Sequence, residues 1–296
     1  MADAAGAKLA LGTVQWGMRY GIAGRGQPGP AEITAILDTA RAAGISMLDT
    51  AHAYGAAERV IGDLAAAAAF DVVTKTLPLR RPAVDDAGCH AVAGALEESL
   101  ARLGRPSVYA VLVHDAGDLL AHGGGNLWKV LEDFRAAGKA QRIGVSVYNP
   151  EQCRAVAEAF PVEIVQLPFS IYDQRFLQTQ GLADLKTRGI EIHTRSAFLQ
   201  GLLMMNPGAL PAHFDAIRKH QAAFHDRCTA SGITPLAAAL QFCLRQPLVD
   251  RVVVGCETRP QFEEIRRAAQ AAPPAMVYSE FAVTDPNIVE PSRWPK

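Results

Sequence analysis

The sequence predicts an α/β fold, a single (β/α)8 (TIM) barrel across residues 1–296. Short apolar runs rich in β-branched residues alternate with amphipathic stretches along nearly the whole chain, which is typical of parallel strands joined by helical crossovers. Several of these runs lack a polar alternation, as expected for strands that are covered on both faces. About eight such units in a chain of 296 residues favour a closed barrel over an open sheet.

The predicted strands are short. In chain order they are residues 9–14, 45–48, 71–74, 108–113, 142–147, 163–167, 190–194 and 251–254. The first of them, LALGTV, fits either the opening strand of the barrel or a lid hairpin.

Helices are predicted between the strands, with apolar residues three and four apart, and examples are residues 32–43, 92–103 and 127–137. A glycine follows each of four helical stretches, where a left-handed terminal residue is favoured: Gly44, Gly104, Gly138 and Gly189. Prolines at helix starts are Pro30, Pro150 and Pro260. Residues 207–234 suggest a helical insertion near the site. Residues 272–296 are rich in proline and aperiodic, and we expect a surface strap that packs near the barrel mouth.

Composition narrows the possible partners and the compartment. The formal net charge of −1 gives no electrostatic case for nucleic acid or a membrane surface as partner. The longest small-residue run, residues 65–69, is too short to span a bilayer, and the first residues lack a secretory signal pattern. Five dispersed cysteines without a CxxC pair indicate free thiols, so a cytoplasmic location is expected. Oligomeric state is not predicted.

Four reactive side chains fall at or just after predicted strand ends: Asp49, Tyr54, Lys75 and His114. In a barrel the carboxyl ends of the strands meet at one mouth, so these side chains are expected to converge there. Tyrosine, with an ordinary pKa of about 10, exchanges protons poorly at neutral pH, and a neighbouring ammonium is expected to lower that pKa. An aspartate can hold the lysine, and a neutral histidine can orient a carbonyl oxygen. The set therefore predicts proton delivery to a carbonyl.

Each residue taken alone has a structural explanation. Asp49 could be a turn or helix-capping residue, Tyr54 a partly buried tyrosine with a bonded hydroxyl, and Lys75 a solvated charge. His114 could be a satisfied core histidine. Their joint placement on successive strand ends favours a shared site.

The segment ISMLDTAHAYGAAERVIG, followed by VVTK and LVHD, resembles the aldo-keto reductase family. The resemblance extends from LALGTVQWG to VVVGCETRPQFEEI, and the opening and closing segments are similar to bacterial members, some linked to sugar metabolism. It implies a (β/α)8 fold and an NAD(P)H-dependent oxidoreductase that interconverts a carbonyl (an aldehyde or ketone, such as a sugar) and its alcohol. It also implies that Tyr54 is the proton donor, that Lys75 and Asp49 tune it, and that His114 polarises the substrate carbonyl.

The same resemblance implies coenzyme contacts. Ser146 and Gln166 would hold the nicotinamide carboxamide. Val147 stands where asparagine is frequent in the family, and Asn149, slightly further on, is the candidate to replace it. Arg195 stands where many relatives have an aromatic residue, and its guanidinium could stack on the ring or reach a phosphate. Ser196 and Gly201 belong to a segment similar to the pyrophosphate loop.

At the adenosine end the implied contacts are Gly255, Cys256, Gln261 and Glu264. Gln261 stands where many NADP-using relatives have arginine. Glu257 would repel a 2′-phosphate if it pointed inward, while Arg259 could attract one. The family as a whole favours NADP, and NAD is not excluded.

Loop position makes Trp16, His52 and Tyr148 the expected substrate-binding residues, with Met18, Tyr20, Trp128 and Tyr172 as further candidates at the mouth. The eight histidines show no metal-binding spacing, so no metal is expected. Two other functions stay open. One is a nicotinamide-binding redox sensor or regulatory barrel, and the other is a metal-free hydrolase or lyase in which a second carboxylate faces Asp49.

Overall fold

Eight parallel strands close into a barrel in the order in which they occur in the chain. They are β1 (Leu9–Gly12), β2 (Met47–Asp49), β3 (Asp71–Lys75), β4 (Val108–Val113), β5 (Ala140–Ser146), β6 (Ile164–Pro168), β7 (Glu191–Arg195) and β8 (Arg251–Gly255). Leu11 of β1 pairs with Leu48 of β2 on one side and with Val254 of β8 on the other, which closes the barrel. The computed structural model describes residues 4–22, 24, 26–272 and 275–295, and its architecture is the predicted (β/α)8 barrel.

The first four residues of the run LALGTV form β1, the first strand of the barrel, and Val14 begins α2, so the lid-hairpin interpretation is wrong. Several predicted strands end one residue early. Asp49 and Lys75 are therefore the last residues of β2 and β3, which fixes both backbones in the hydrogen-bonded ladder.

Helices cover the barrel. The α-helices among the described residues are α1 (Ala4–Lys8), α2 (Val14–Gly17), α3 (Pro30–Ala42), α4 (Ala57–Asp63), α5 (Asp86–Leu103), α6 (Ala116–Leu120), α7 (Gly124–Ala136), α8 (Pro150–Ala159), α9 (Arg175–Gln178), α10 (Gly181–Thr187), α11 (Arg218–Ala230), α12 (Pro235–Leu244), α13 (Arg259–Gln270) and α14 (Pro286–Val289). Short 3₁₀ turns are Ala65–Ala69, Leu199–Met204, Pro207–Ala209, Ala212–Ile217, Tyr278–Phe281 and Pro291–Arg293. The helical insertion predicted near the site is α11 with the two 3₁₀ turns before it.

Two apolar layers hold the fold together. Inside the barrel, apolar side chains from β1, β2, β3, β4 and β6 fill the space: Ala10, Met47, Val73, Ala110, Leu112 and Ile164. A larger layer, which includes Leu11, Val111, Val165 and Ile192, packs the outer face of the strands against the helices. The interior is thus a packed core, and the mouth is where space remains.

The C-terminal residues 275–295 pack against the segment that follows β6, at the mouth end of that strand. Val283 N donates to Tyr172 O at 2.8 Å, and Gln174 Nε2 donates to Tyr278 O at 2.7 Å. Arg175 Nη1 lies 2.8 Å from Glu290 Oε1. These contacts fit the predicted strap, of which Pro273, Pro274 and Lys296 lie outside the described residues.

None of the helices in the described ranges is both long and apolar enough to cross a membrane. All five cysteines are buried and carry free thiols.

Candidate active site

A buried ion pair joins the ends of β2 and β3. Lys75 Nζ donates to Asp49 Oδ1 at 2.7 Å and to Thr50 O at 2.8 Å. Gln166 Nε2, from β6 across the barrel, donates to Asp49 Oδ2 at 2.6 Å. Both oxygens of the carboxylate are therefore held, and two of the three ammonium protons of Lys75 are used.

The side chains of Lys75 and Asp49 are only 1% and 6% exposed, so neither charge is stabilised by bulk water. Burial lowers the pKa of Lys75, and the adjacent Asp49 carboxylate acts in the opposite direction. The two opposite charges therefore balance each other inside the protein, at the base of the barrel mouth.

Tyr54 lies above this pair in the loop between β2 and α4, and its side chain is half-buried. Lys75 Nζ is 5.1 Å from the centre of the Tyr54 ring. Burial raises the pKa of Tyr54 and Asp49 raises it further. The expected lowering of the Tyr54 pKa by lysine is wrong, because the charge of Lys75 is paired with Asp49 and because burial and the Asp49 carboxylate both raise that pKa. Tyr54 therefore keeps its proton at neutral pH.

His114 follows β4 and meets the Tyr54 ring edge-on, with ring centres 5.8 Å apart. Burial, followed by the charges of Lys75, Arg195 and Arg80, lowers the pKa of His114 to about 3, so the imidazole is neutral. Its Nδ1 is buried and has no hydrogen-bond partner among the described residues. Because a buried unpaired N–H is rarer than an unpaired acceptor, we assign the ring proton to Nε2.

Two glycines fix the Tyr54 loop against α2. Ala56 N donates to Gly17 O at 3.2 Å, and a Cβ at Gly17 would lie 1.8 Å from Tyr54 O. Gly55 has φ +57°, a left-handed conformation that glycine adopts without strain. Close approach of the two backbones thus sets the position of the phenol.

Behind the loop, Glu58 of α4 is buried and accepts a hydrogen bond from Thr74 Oγ1 at 2.7 Å. His52 Nδ1 lies 3.3 Å from Arg102 Nη1 and 3.4 Å from Ser99 Oγ, both on α5. The prediction that His52 binds substrate is therefore corrected, since its ring is turned towards the helix layer.

Of the other aromatic residues predicted at the substrate side, three lie in the core and Tyr20 lies at the cavity. Trp16 is 2% exposed in the core between α2 and its neighbours, and it does not line the cavity at the mouth. Trp128 and Tyr172 are 4% and 0% exposed core residues. Tyr148 stays half-buried at the end of β5. Tyr20 lines the cavity and its hydroxyl bonds Gln200.

A cavity of about 380 Å³ opens at the mouth beside Asp49 and Tyr54. Seven of the predicted coenzyme contacts line it: Arg195, Ser196, Gly201, Gly255, Cys256, Gln261 and Glu264. Ser146 and Gln166 are buried at the ends of β5 and β6, just outside its lining. Asn149 does not substitute for the missing asparagine, because its Oδ1 accepts from Gln152 N and caps α8.

The sequence did not indicate four further lining residues: Gln15, Gln200, Met204 and Met205. Gln15 follows β1 closely, so the strand-end rule could have found it. The other three lie in the irregular stretch after β7, which has no sequence periodicity.

Arg195 ends β7 and reaches towards the end of β5. Its Cζ lies 4.5 Å from the centre of the Tyr148 ring, Nη2 donates to Val147 O at 3.0 Å, and Nη1 to Ser196 Oγ at 3.3 Å. Ser196 has φ +65°, and strain of this kind clusters at functional sites. At the position where many relatives have an aromatic residue, this chain thus has a cation that stacks on Tyr148 and lines the cavity.

Among the residues that the structure describes, no group of three or more His, Cys, Asp or Glu side chains could hold a metal ion.

Comparison with known proteins identifies the family to which the chain belongs. The pyridoxal 4-dehydrogenase of Microbacterium luteolum is 25% identical, and the alignment covers 86% of this chain and 87% of that protein. An uncharacterized oxidoreductase of Bacillus subtilis, YqkF, is 24% identical over 80% of this chain and 81% of its own. The holo form of the aldo-keto reductase AKR11C1 from Bacillus halodurans superposes with a TM-score of 0.70 at 19% identity, covering 93% of this chain and 89% of that one. The model of the aldo/keto reductase family matches residues 8–282. The chain therefore belongs to the aldo/keto reductase family and is an NAD(P)H-dependent oxidoreductase.

Proposed function

We propose that the protein reduces the carbonyl of a small aldehyde or ketone to an alcohol, with Tyr54 giving its proton to the carbonyl oxygen. The observation that carries this proposal is the position of the Tyr54 ring, which lies beside the buried Lys75–Asp49 pair and edge-on to His114. Together these groups form a proton donor with a second hydrogen-bond donor beside it.

The nicotinamide coenzyme supplies the hydride. Tyr54 gives up its proton as negative charge develops on the carbonyl oxygen, and His114 Nε2–H donates a hydrogen bond to the same oxygen. The remaining proton and the positive charge of Lys75 stabilise the phenolate that results. Asp49 holds that ammonium in place through Oδ1.

The cavity wall fits a nicotinamide coenzyme. Gln166 Oε1 and Gln15 Oε1 are buried acceptors with no partner among the described residues. The carboxamide N–H of a nicotinamide would satisfy Gln166, whose Nε2 is already committed to Asp49. We assign Ser146, Gln166, Arg195 and Ser196 to the nicotinamide half. The rest of the coenzyme is assigned to the lining residues Gly201, Gly255, Cys256, Gln261 and Glu264.

For the adenosine ribose we propose a preference for NADH over NADPH, although the family resemblance favours NADP. The cavity wall after β8 presents two carboxylates, those of Glu257 and Glu264, and Glu257 is only 8% exposed. Arg195 is the one Lys or Arg among the described lining residues, and it reaches towards β5. Carboxylates suit ribose hydroxyls and repel a phosphate.

Titration of the protein with NADH and NADPH, followed by coenzyme fluorescence, tests this preference. NADH is expected to bind at least about tenfold more tightly than NADPH. The substitution Glu257→Gln is expected to reduce this ratio of the two dissociation constants. Tighter NADPH binding to the unaltered protein would contradict the assignment.

The function itself is tested by Tyr54→Phe. This variant is expected to lose about 10²–10⁴-fold in kcat for carbonyl reduction, because the general acid is gone, while the Kd of the coenzyme stays unchanged. The assay follows coenzyme oxidation over a panel of aldehydes and ketones. The panel includes aldoses and pyridoxal, since the Microbacterium relative is named for pyridoxal.

Normal turnover by Tyr54→Phe would rule out Tyr54 as the donor. Tight coenzyme binding without turnover of any carbonyl by the unaltered protein would favour a redox sensor. A hydrolase or lyase is disfavoured, because Lys75 and Gln166 occupy both oxygens of Asp49 where a second carboxylate would have to face it.

A further inference from the structure

Arg195 differs in its charge balance from Arg142, the other arginine that lies over a tyrosine ring among the described residues. Arg142, at the opposite end of β5, also lies over a tyrosine, with its Cζ 6.0 Å from the Tyr109 ring, and it has Glu191 at 3.6 Å. Within the described ranges, no carboxylate lies within ion-pair distance of Arg195. Its contacts are with a ring, a carbonyl and a hydroxyl, all of them neutral.

The charge of Arg195 lies on the wall of the cavity that holds the reacting groups. Arg195, Tyr54 and Asp49 line the same cavity, and the side chain of Arg195 is only half-buried. Its charge also acts on the catalytic side chains, since it helps to lower the pKa of both His114 and Lys75. Lys75 is compensated by Asp49, so Arg195 supplies the unbalanced positive charge among these residues.

We propose that Arg195 makes the site bind the reduced nicotinamide coenzyme more tightly than the oxidised coenzyme. This inference rests on the proposed function. The oxidised nicotinamide ring carries one positive charge and the reduced ring carries none, while the rest of the coenzyme is the same in both. A nearby uncompensated guanidinium therefore repels the oxidised form selectively.

A guanidinium on this wall could instead anchor the pyrophosphate of the coenzyme. That contact would strengthen both redox forms equally, because the pyrophosphate is identical in the two. The ratio of the two dissociation constants therefore separates these roles.

The test measures Kd for the reduced and oxidised forms of the preferred coenzyme by calorimetry, without any carbonyl substrate. Four proteins are compared: the unaltered chain, Arg195→Gln, Arg195→Lys and the control Arg142→Gln. Glutamine keeps a donor for the Val147 carbonyl and removes the charge, and lysine keeps the charge. Circular dichroism and thermal unfolding verify that each variant is folded.

The ratio Kd(oxidised)/Kd(reduced) is expected to exceed one in the unaltered protein. It should fall about tenfold in Arg195→Gln, equivalent to ~1.4 kcal/mol. The ratio should stay close to its value in the unaltered protein in both Arg195→Lys and Arg142→Gln. The effect should weaken in high salt, since the side chain is half-exposed.

An unchanged ratio in folded Arg195→Gln, or an equal loss of affinity for both forms, would overturn the inference and leave the proposed function standing. If the unaltered protein binds neither redox form of either coenzyme, the proposed function itself fails.

Discussion

Tyr54 and His114 are both uncharged in the site, for opposite electrostatic reasons. Burial and the Asp49 carboxylate raise the pKa of the phenol, while burial and three cations lower the pKa of the imidazole. The sequence could place both residues at strand ends. It could not predict their charge states, because these depend on partners such as Asp49 and Arg195 that meet only in the closed barrel.

These charge states predict a flat pH profile for carbonyl reduction. Tyr54 loses its proton only above its ordinary pKa, and His114 gains one only near its pKa of about 3. We therefore expect kcat/KM for reduction to be constant between about pH 5 and pH 9, and alcohol oxidation, which needs the phenolate, to rise with pH.

The measurement is the pH dependence of both directions with a saturating coenzyme. An inflection near pH 6.5 that disappears in His114→Gln would show that the imidazole titrates in its ordinary range.

At the scale of elements, the ends of helices were more predictable from the sequence than the directions of side chains. Gly44, Gly104, Gly138 and Gly189 all have positive φ, between 62° and 82°, so the predicted helix ends are confirmed. The directions of loop side chains were harder to predict, because the position of a residue in a loop does not show which way its ring points. The four-residue helix α2 places Trp16 in the core, and α5 holds His52 away from the cavity.

The contact between α2 and the Tyr54 loop predicts the effect of Gly17→Ala. The new Cβ would overlap Tyr54 O and lie 2.3 Å from Ala57 N, so the loop must move. We expect a loss of roughly 1–3 kcal/mol in the free energy of unfolding and a lower kcat, with little change in coenzyme Kd.

The matched control is Gly94→Ala in α5, where a Cβ meets nothing within 4 Å. It should be neutral or slightly stabilising. Urea unfolding and steady-state kinetics give both quantities. Full activity in Gly17→Ala would show that the loop tolerates displacement.

At the scale of the whole molecule, the C-terminal strap ties the β6 side of the mouth to the insertion after β7. Trp294 packs edge-on against Phe214, with ring centres 4.9 Å apart, and its Nε1 donates to Ile288 O at 3.2 Å. Composition suggested a strap, but the sequence could not show where it docks, because its contacts are with residues that are distant in the chain, such as Tyr172 for Val283 and Phe214 for Trp294.

Trp294→Ala should lower the free energy of unfolding by roughly 3 kcal/mol, because a buried indole and its hydrogen bond are lost. Trp294→Phe should retain most of that stability. Urea unfolding followed by circular dichroism measures both, and a change below about 0.5 kcal/mol in Trp294→Ala would mean that the strap is not part of the cooperative fold.

The hydrogen bond from Gln166 to Asp49 joins two parts of the chain that carry different tasks. Asp49, Tyr54, Lys75 and His114 all come from the first 114 residues, and the predicted coenzyme contacts all come from residue 146 onwards. A protein engineer could therefore recombine this barrel between β4 and β5, exchanging the coenzyme half for that of another barrel. Such a chimaera keeps a working proton donor only if the incoming half supplies an amide at position 166. That amide must donate a hydrogen bond to Asp49 across the junction between the two halves.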